Sequence, residues 1–263
     1  MPALDGLRGV AVAAVVLFHT GAEWMAGGFL GVSVFFTLSG YLITSLLLAE
    51  HEGSGRVSLG AFWRRRVRRL LPASAVTLVV VAGVGPWFAS GLQAPKLGGD
   101  VAAAAAYMAN WRFMLSGSSY LDLFVAPSPV LHFWSLAIEE QFYLVFPLLM
   151  ALALRRRLRG VGLALILVAG AGLSAALPTL FDLGPDRVYF GTDARPGELL
   201  VGAALAGLLS RRWSVAAGRN ERSVVLGRSG GAITIGSIVA LGVMVWALVE
   251  VTQQDAWLYR GGL

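Results

Sequence analysis

An all-α bundle that crosses a membrane many times is the fold this sequence predicts. Three observations predict it. Hydrophobic residues fill 57% of the 263 positions and charged residues only 14%, whereas a soluble domain carries about 25% charged residues. The mean hydropathy is correspondingly high, at +0.71. The apolar stretches are separated by short segments in which arginines cluster, the pattern that orients spans with their positive loops inside. The same composition excludes several functions. With no cysteine there is no disulfide, thiol nucleophile or cysteine metal site, and no metal centre is expected. The net charge of +6 reads as membrane orientation, so nucleic acid is not an expected partner.

The first predicted span covers residues 7–20. Its unbroken apolar run, 10–18, is too short to cross a bilayer alone. If the helix crosses, Asp5, Arg8 and His19 lie at or near membrane depth. Eleven residues turn a helix by roughly three full turns plus 20°, so Arg8 and His19 share one face about 16 Å apart. Asp5 stands one turn before Arg8 and can pair with it. Ionisable residues inside a membrane are expensive and mark functional sites by default. The alternative is that Arg8 snorkels to the headgroups and His19 caps the outer end. The first apolar segment has no small-residue cleavage site and its charge is misplaced for a signal peptide, so none is expected.

A second span follows at 29–49. Its Ser33, Thr37, Ser39, Thr44, Gly31 and Gly40 suit close helix packing and cross-helix hydrogen bonds. Residues 51–69 read as a polar loop that ends in Arg-Arg-Arg-Val-Arg-Arg, five arginines in six positions. That loop is expected on the cytoplasmic side. A guanidinium fork there suits phosphate groups as well as lipid headgroups. Pro72 is expected in the first turn of a third span, 73–89. Residues 101–115 are apolar but carry Asn110, Trp111 and Arg112. The arginines at 155–159 must also face inside, which requires an odd number of crossings between the two clusters. Residues 101–115 are therefore expected to re-enter or to lie at the interface.

Residues 116–131 are predicted to form an outer loop. The span at 133–154 opens on Glu139, Glu140 and Gln141, polar residues that lipid contact does not explain. His132 and Glu139 are seven residues apart and share a helical face. The alternative for the two glutamates is that they complement the helix dipole and stay wet. Further spans are expected at 161–177, from Glu198 to before Arg211, and at 233–251. Between them lies an outer loop, 178–196, in which Asp193 and Arg195 can pair or frame a polar pocket. An inner loop runs on to Arg228. The sum is about eight crossings with one re-entrant or interfacial segment. The organisation reads as one domain over residues 1–263, incomplete at its C-terminus.

Several stretches together carry a resemblance. They are Leu-Asp-Gly-Leu-Arg-Gly with a histidine ten residues after the arginine, Gly-Val-Ser-Val-Phe-Phe-Thr-Leu-Ser-Gly-Tyr-Leu-Ile, and Arg-Arg-Val-Arg-Arg-Leu-Leu-Pro. Phe-Trp-Ser-Leu-Ala-Ile-Glu-Glu-Gln-Phe-Tyr and Tyr-Phe-Gly-Thr-Asp-Ala-Arg follow in order. The chain resembles the acyltransferase-3 family, integral-membrane enzymes that O-acetylate lipopolysaccharide, peptidoglycan, exopolysaccharides and macrolides. The family's arginine-histidine motif falls on Arg8 and His19, its Arg-x-x-Arg motif on Arg66 and Arg69, and its Ser-Leu-x-x-Glu-x-Gln element on Ser135, Glu139 and Gln141.

What the resemblance implies is an acyl, commonly acetyl, group moved from cytoplasmic acyl-CoA to a hydroxyl of a cell-envelope glycan. The protein would sit as a multi-pass chain in a bacterial membrane. It would bind acetyl-CoA as a substrate and hold no permanent cofactor. His19 is then the expected base or transient acyl carrier. Glu139 is expected to orient or polarise it, Arg8 with Asp5 to hold the helix or the donor, and Arg66 and Arg69 to take the donor's phosphates. His132, Ser135, Gln141, Asp193 and Arg195 are expected in support. Two other readings use the same residues: a carrier or flippase of an acyl group or lipid-linked sugar, and an inactive fragment. A carrier does not require the Arg66–Arg69 pair, which separates it from the enzyme.

Overall fold

A computed structural model describes residues 2–89, 94–116, 128–218 and 230–263, with side chains for all of these except 2–3, 210–218 and 230–235. Every regular element among the described residues is helical. The α-helices are α1 (Pro2–His19), α2 (Gly31–Ser54), α3 (Leu59–Phe88), α4 (Ala94–Ala105), α5 (Ala109–Leu115), α6 (Phe133–Arg155), α7 (Val161–Leu180), α8 (Pro185–Phe190), α9 (Pro196–Gly218) and α10 (Gly230–Glu250). Four of them, α2, α3, α6 and α7, are long and apolar enough to cross a membrane. Most of the outer loop expected at 116–131 and the inner loop expected up to Arg228 lie outside the described residues.

The helices turn apolar side chains outward. On α3, Val76, Val79, Val80, Trp87 and Phe88 are exposed, and only Phe62 and Ser74 are buried. The outward faces of α6 and α7 carry Leu144, Leu148, Leu149, Leu165, Ile166 and Leu173. A helix in water would put polar residues at such positions.

Two expectations are corrected along α3. The segment 51–69 is not a polar loop: α2 continues to Ser54 and α3 begins at Leu59. The turn between them is closed by Glu50, whose carboxylate accepts from the Ser58 amide at 3.0 Å. Arginine is a good helix former, and Phe62, Trp63, Arg66, Leu70 and Ser74 make a half-buried to buried stripe at helical spacing. Pro72 sits inside α3 instead of opening a helix. Its ring removes the partner of the carbonyl four residues earlier. Both Arg68 and Pro72 lie on the exposed side, where that carbonyl has access to its surroundings.

The segment expected not to cross is broken. α4 and α5 have 12 and 7 residues, about 18 and 10 Å of helix, against a hydrocarbon core of about 30 Å. Tyr107 in the break has φ of 54°, a left-handed value uncommon for a side chain of this size. Arg112 on α5 clamps the break by pairing with Asp100 on α4 at 2.6 Å.

The chain groups into two compact units. The first holds residues up to Leu48, 159–169 and 198–258. Its core includes Phe29, Phe36, Leu47, Leu199 and Ala203. Here α2 and α9 meet backbone to backbone. A Cβ at Gly40 would overlap the Leu199 carbonyl, and one at Gly202 would overlap the Thr37 carbonyl. Gly31 allows α1 the same approach, against the Ala11 carbonyl. Without water to drive helices together, such contact is what associates them. The second unit holds residues 49–158, 170–197 and 259–263. Its core includes Ile138, Tyr143, Met150 and Phe190.

Replacing Gly202 by Val is expected to destabilise the protein by about 3 kcal/mol, the upper part of the usual overpacking range. Gly162→Ala, where an added Cβ meets nothing within 4 Å, should leave stability unchanged. Thermal unfolding of the two variants in one detergent checks the contrast.

Candidate active site

In the first unit the candidate residues stand on α1. His19 is its last residue, exposed, with Nδ1 at 2.7 Å from the Val15 carbonyl. A carbonyl only accepts, so Nδ1 is the donor in this contact and Nε2 is the ring nitrogen left to exchange a proton. Nε2 has no hydrogen-bond partner among the described residues. Arg8 turns toward α2. Its Nη2 reaches Ser39 Oγ of α2 at 3.4 Å, and its guanidinium lies 4.8 Å from the centre of the Phe35 ring. Its buried Nε has no partner among the described residues. Asp5 is exposed one turn earlier on the same helix.

In the second unit α3 and α6 bring four polar residues together. Arg66 Nε donates to Glu140 Oε1 at 3.1 Å. The same guanidinium lies 3.6 Å from the centre of the Tyr143 ring. The Tyr143 hydroxyl donates to Glu139 Oε1 at 3.1 Å. Glu139 is 4% exposed and Tyr143 1%, so Glu139 does not stay wet. The other arginine of the pair, Arg69, is exposed. The two guanidinium groups expected to act alike therefore have different surroundings.

Gln141, one residue further along α6, uses its whole amide. Its Oε1 accepts from Trp111 Nε1 at 3.1 Å and from the Thr192 hydroxyl. Its Nε2 donates to the Tyr107 carbonyl at 2.7 Å and to Asn110 Oδ1 at 3.0 Å. Indole nitrogen only donates and a carbonyl only accepts, so the amide has a single orientation. Asn110, fully buried, passes its own amide hydrogens to the Phe190 carbonyl and to Thr192 Oγ1. The network ties α6 to the α4–α5 break and to the segment after α8.

The remaining candidates surround this network. His132 is exposed just before α6, and its carbonyl accepts from Ser135 Oγ at 3.2 Å. The ion pair expected around Asp193 forms with Arg187, at 2.7 Å. Arg195 instead turns inward. It is 2% exposed, with its guanidinium 5.6 Å from the Trp134 ring and 5.5 Å from the Tyr189 ring. Nearby, burial and then the Asp186 carboxylate raise the Tyr259 phenol above its ordinary value, against the opposing pull of Arg195.

Glu140, Asn110 and Trp111 stand out in the sequence but carry no expected site role there, and Tyr143 and Thr192 do not stand out at all. Asn110 had left a signal, because an amide in an apolar segment needs a partner. Tyr143 had left none, since it reads as one more apolar face.

Gln141→Leu leaves the Tyr107 carbonyl, the Trp111 indole and both neighbouring polar side chains short of a partner. It is expected to cost about 3 kcal/mol and to lower the unfolding temperature well below that of Thr179→Val, which removes only an exposed bond to the Arg260 carbonyl.

These geometries belong to a chain with close relatives. A family model described as "Acyltransferase domain" matches residues 1–261. The peptidoglycan O-acetyltransferase OatA of Listeria monocytogenes serovar 1/2a is 40% identical over 268 residues, covering 100% of this chain and 42% of that protein. The O-acetyltransferase OatA of Staphylococcus aureus is 39% identical over 264 residues, with the same two coverages. The chain thus spans about two fifths of the length of these relatives. No solved structure matches. With its match running from residue 1 to residue 261, the chain belongs to the acyltransferase-3 family.

Proposed function

We propose that this chain is the membrane-embedded acyltransferase part of a cell-wall O-acetylation system. It moves an acetyl group from cytoplasmic acetyl-CoA to a hydroxyl of a glycan of the peptidoglycan type. The outward-facing apolar side chains of α3, α6 and α7 support a multi-pass place in the bacterial cell membrane. The names of the relatives support O-acetylation and, for the Listeria protein, peptidoglycan as acceptor.

The observation that carries the reading is the state of His19. Its Nδ1 is occupied by the Val15 carbonyl, and its Nε2 meets no partner among the described residues. Nε2 takes the hydroxyl proton as the acceptor oxygen attacks the thioester carbonyl. The carbon–sulfur bond then breaks, and the imidazolium returns the proton to the departing CoA thiolate. Arg66 offers its fork to the donor's phosphates, and Arg69, exposed on the same helix, adds long-range attraction. Glu139, held by the Tyr143 hydroxyl, orients a reacting group. Arg8, turned inward with an unpartnered Nε, stabilises developing negative charge; Asp5 helps to fix that end of α1.

His19→Ala is expected to lower the transfer rate by about 10²–10⁴-fold, the usual worth of a general base, with unchanged protein level in the membrane. The assay follows thiol release from acetyl-CoA by purified protein supplied with peptidoglycan fragments. Transfer at the wild-type rate refutes the role of His19. Transport of acetyl groups without thiol release points to a carrier.

A further inference from the structure

Arg66 carries more restraint than a phosphate-binding arginine needs for charge alone. Glu140 engages it from the side, at Nε only. The Tyr143 ring covers one face of the guanidinium at 3.6 Å. The residue itself is held at two points, one on the side chain and one on the backbone. Its hydroxyl donates to Glu139 at 3.1 Å, and the Tyr143 carbonyl accepts from the Trp63 indole at 3.0 Å. Trp63 lies one turn before Arg66 on α3, so the helix that carries the arginine also grips the residue beneath it. What remains open is the end of the fork. Nη1 and Nη2 have no hydrogen-bond partner among the described residues, and the side chain keeps 15% of its surface exposed.

A flexible arginine loses rotamer freedom when it binds an anion, and a preset one does not. A carboxylate that competed with the ligand would occupy the Nη end, where two parallel bonds to phosphate form. Glu140 leaves that end alone. An aromatic face holds the cation without using any of its N–H groups. Both contacts therefore aim the fork and leave it unspent.

We propose that Glu140 is a positioning residue for the donor: with Tyr143 as its backing, it holds Arg66 so that Nη1 and Nη2 meet a phosphate of the acyl-CoA. This rests on the reading of Arg66 as a donor-binding residue. Glu140 touches no part of the donor in this arrangement and acts through Arg66.

The test measures the affinity of the purified full chain for acetyl-CoA and for S-acetylpantetheine, which lacks the diphosphate and the nucleotide. Glu140→Gln is expected to weaken acetyl-CoA binding about tenfold, the effect of losing preset geometry at one charged contact. S-acetylpantetheine binding should stay as in the wild type. In an Arg66→Ala background, Glu140→Gln should add nothing. Where Glu140→Gln does not accumulate, Glu140→Asp gives the same pattern at smaller size, since it keeps the charge and shortens the reach. Unchanged or tighter acetyl-CoA binding by the glutamate variants overturns the inference while leaving Arg66 in place, as does an equal loss with both ligands. Should Arg66→Ala itself bind acetyl-CoA like the wild type, the donor role of Arg66 falls, and this inference with it.

Discussion

Polar groups on apolar helices must find partners within the protein, and the Gln141 amide shows how far this chain meets that constraint. In an apolar setting an unpaired amide is costly. Gln141 places two donors and two acceptors at a point where an indole, a hydroxyl, an asparagine and a backbone carbonyl converge. The carbonyl belongs to Tyr107, the residue with left-handed backbone between α4 and α5. The broken hairpin is thus held open by α6, and α6 is held in rotation by the hairpin. The rotation of α6 in turn decides where Glu139 and Glu140 point, so the placement of both carboxylates depends on an uncharged side chain.

The arginines follow a second rule. Those that turn inward rest on aromatic rings: Arg8 on Phe35, Arg66 on Tyr143, Arg195 between Trp134 and Tyr189. Those that stay exposed on α3, such as Arg64, Arg68 and Arg69, do not show such a contact. A ring face attracts a cation through its quadrupole without neutralising it or occupying its donors. A salt bridge does both. In surroundings where each charge is expensive, the ring is the way to retain an arginine with its hydrogen-bonding edge still available. Arg66 combines the two, with its charge balanced at Nε and its face supported.

Much of this was legible from the residues alone. Hydropathy located α2, α6 and α7 to within about five residues at each end, because spans need continuous apolar surface, but it put the start of α3 at residue 73 instead of Leu59. The interrupted segment was legible too, since Asn110 and Arg112 do not belong in a span. The charge density of 51–69 suggests a loop, but arginine favours helix and an apolar stripe runs through the stretch at helical spacing. Asp193 was set against Arg195 by nearness in sequence. The structure gives Asp193 to Arg187 and sends Arg195 inward, a choice settled by the aromatic residues on α6 and α8. Partners across elements are not encoded in spacing along one element, and so Tyr143 gave no signal and Glu140 gave none of its partner.

The adjacent glutamates show why that matters for chemistry. Neighbours on a helix point about 100° apart, so Glu139 and Glu140 cannot serve one direction. Glu139 goes to the interior, where its carboxylate accepts from the Tyr143 hydroxyl. Glu140 goes toward α3 and meets a guanidinium, where its charge is largely spent. Glu140, engaged with the guanidinium, suits the setting of geometry. The Tyr143 side chain, one turn on from both, touches the two arrangements at once, with its hydroxyl on Glu139 and its ring under Arg66. A single aromatic residue therefore fixes the distance between the carboxylate and the cation. Any displacement of one is felt by the other through a rigid ring, without a flexible chain between them.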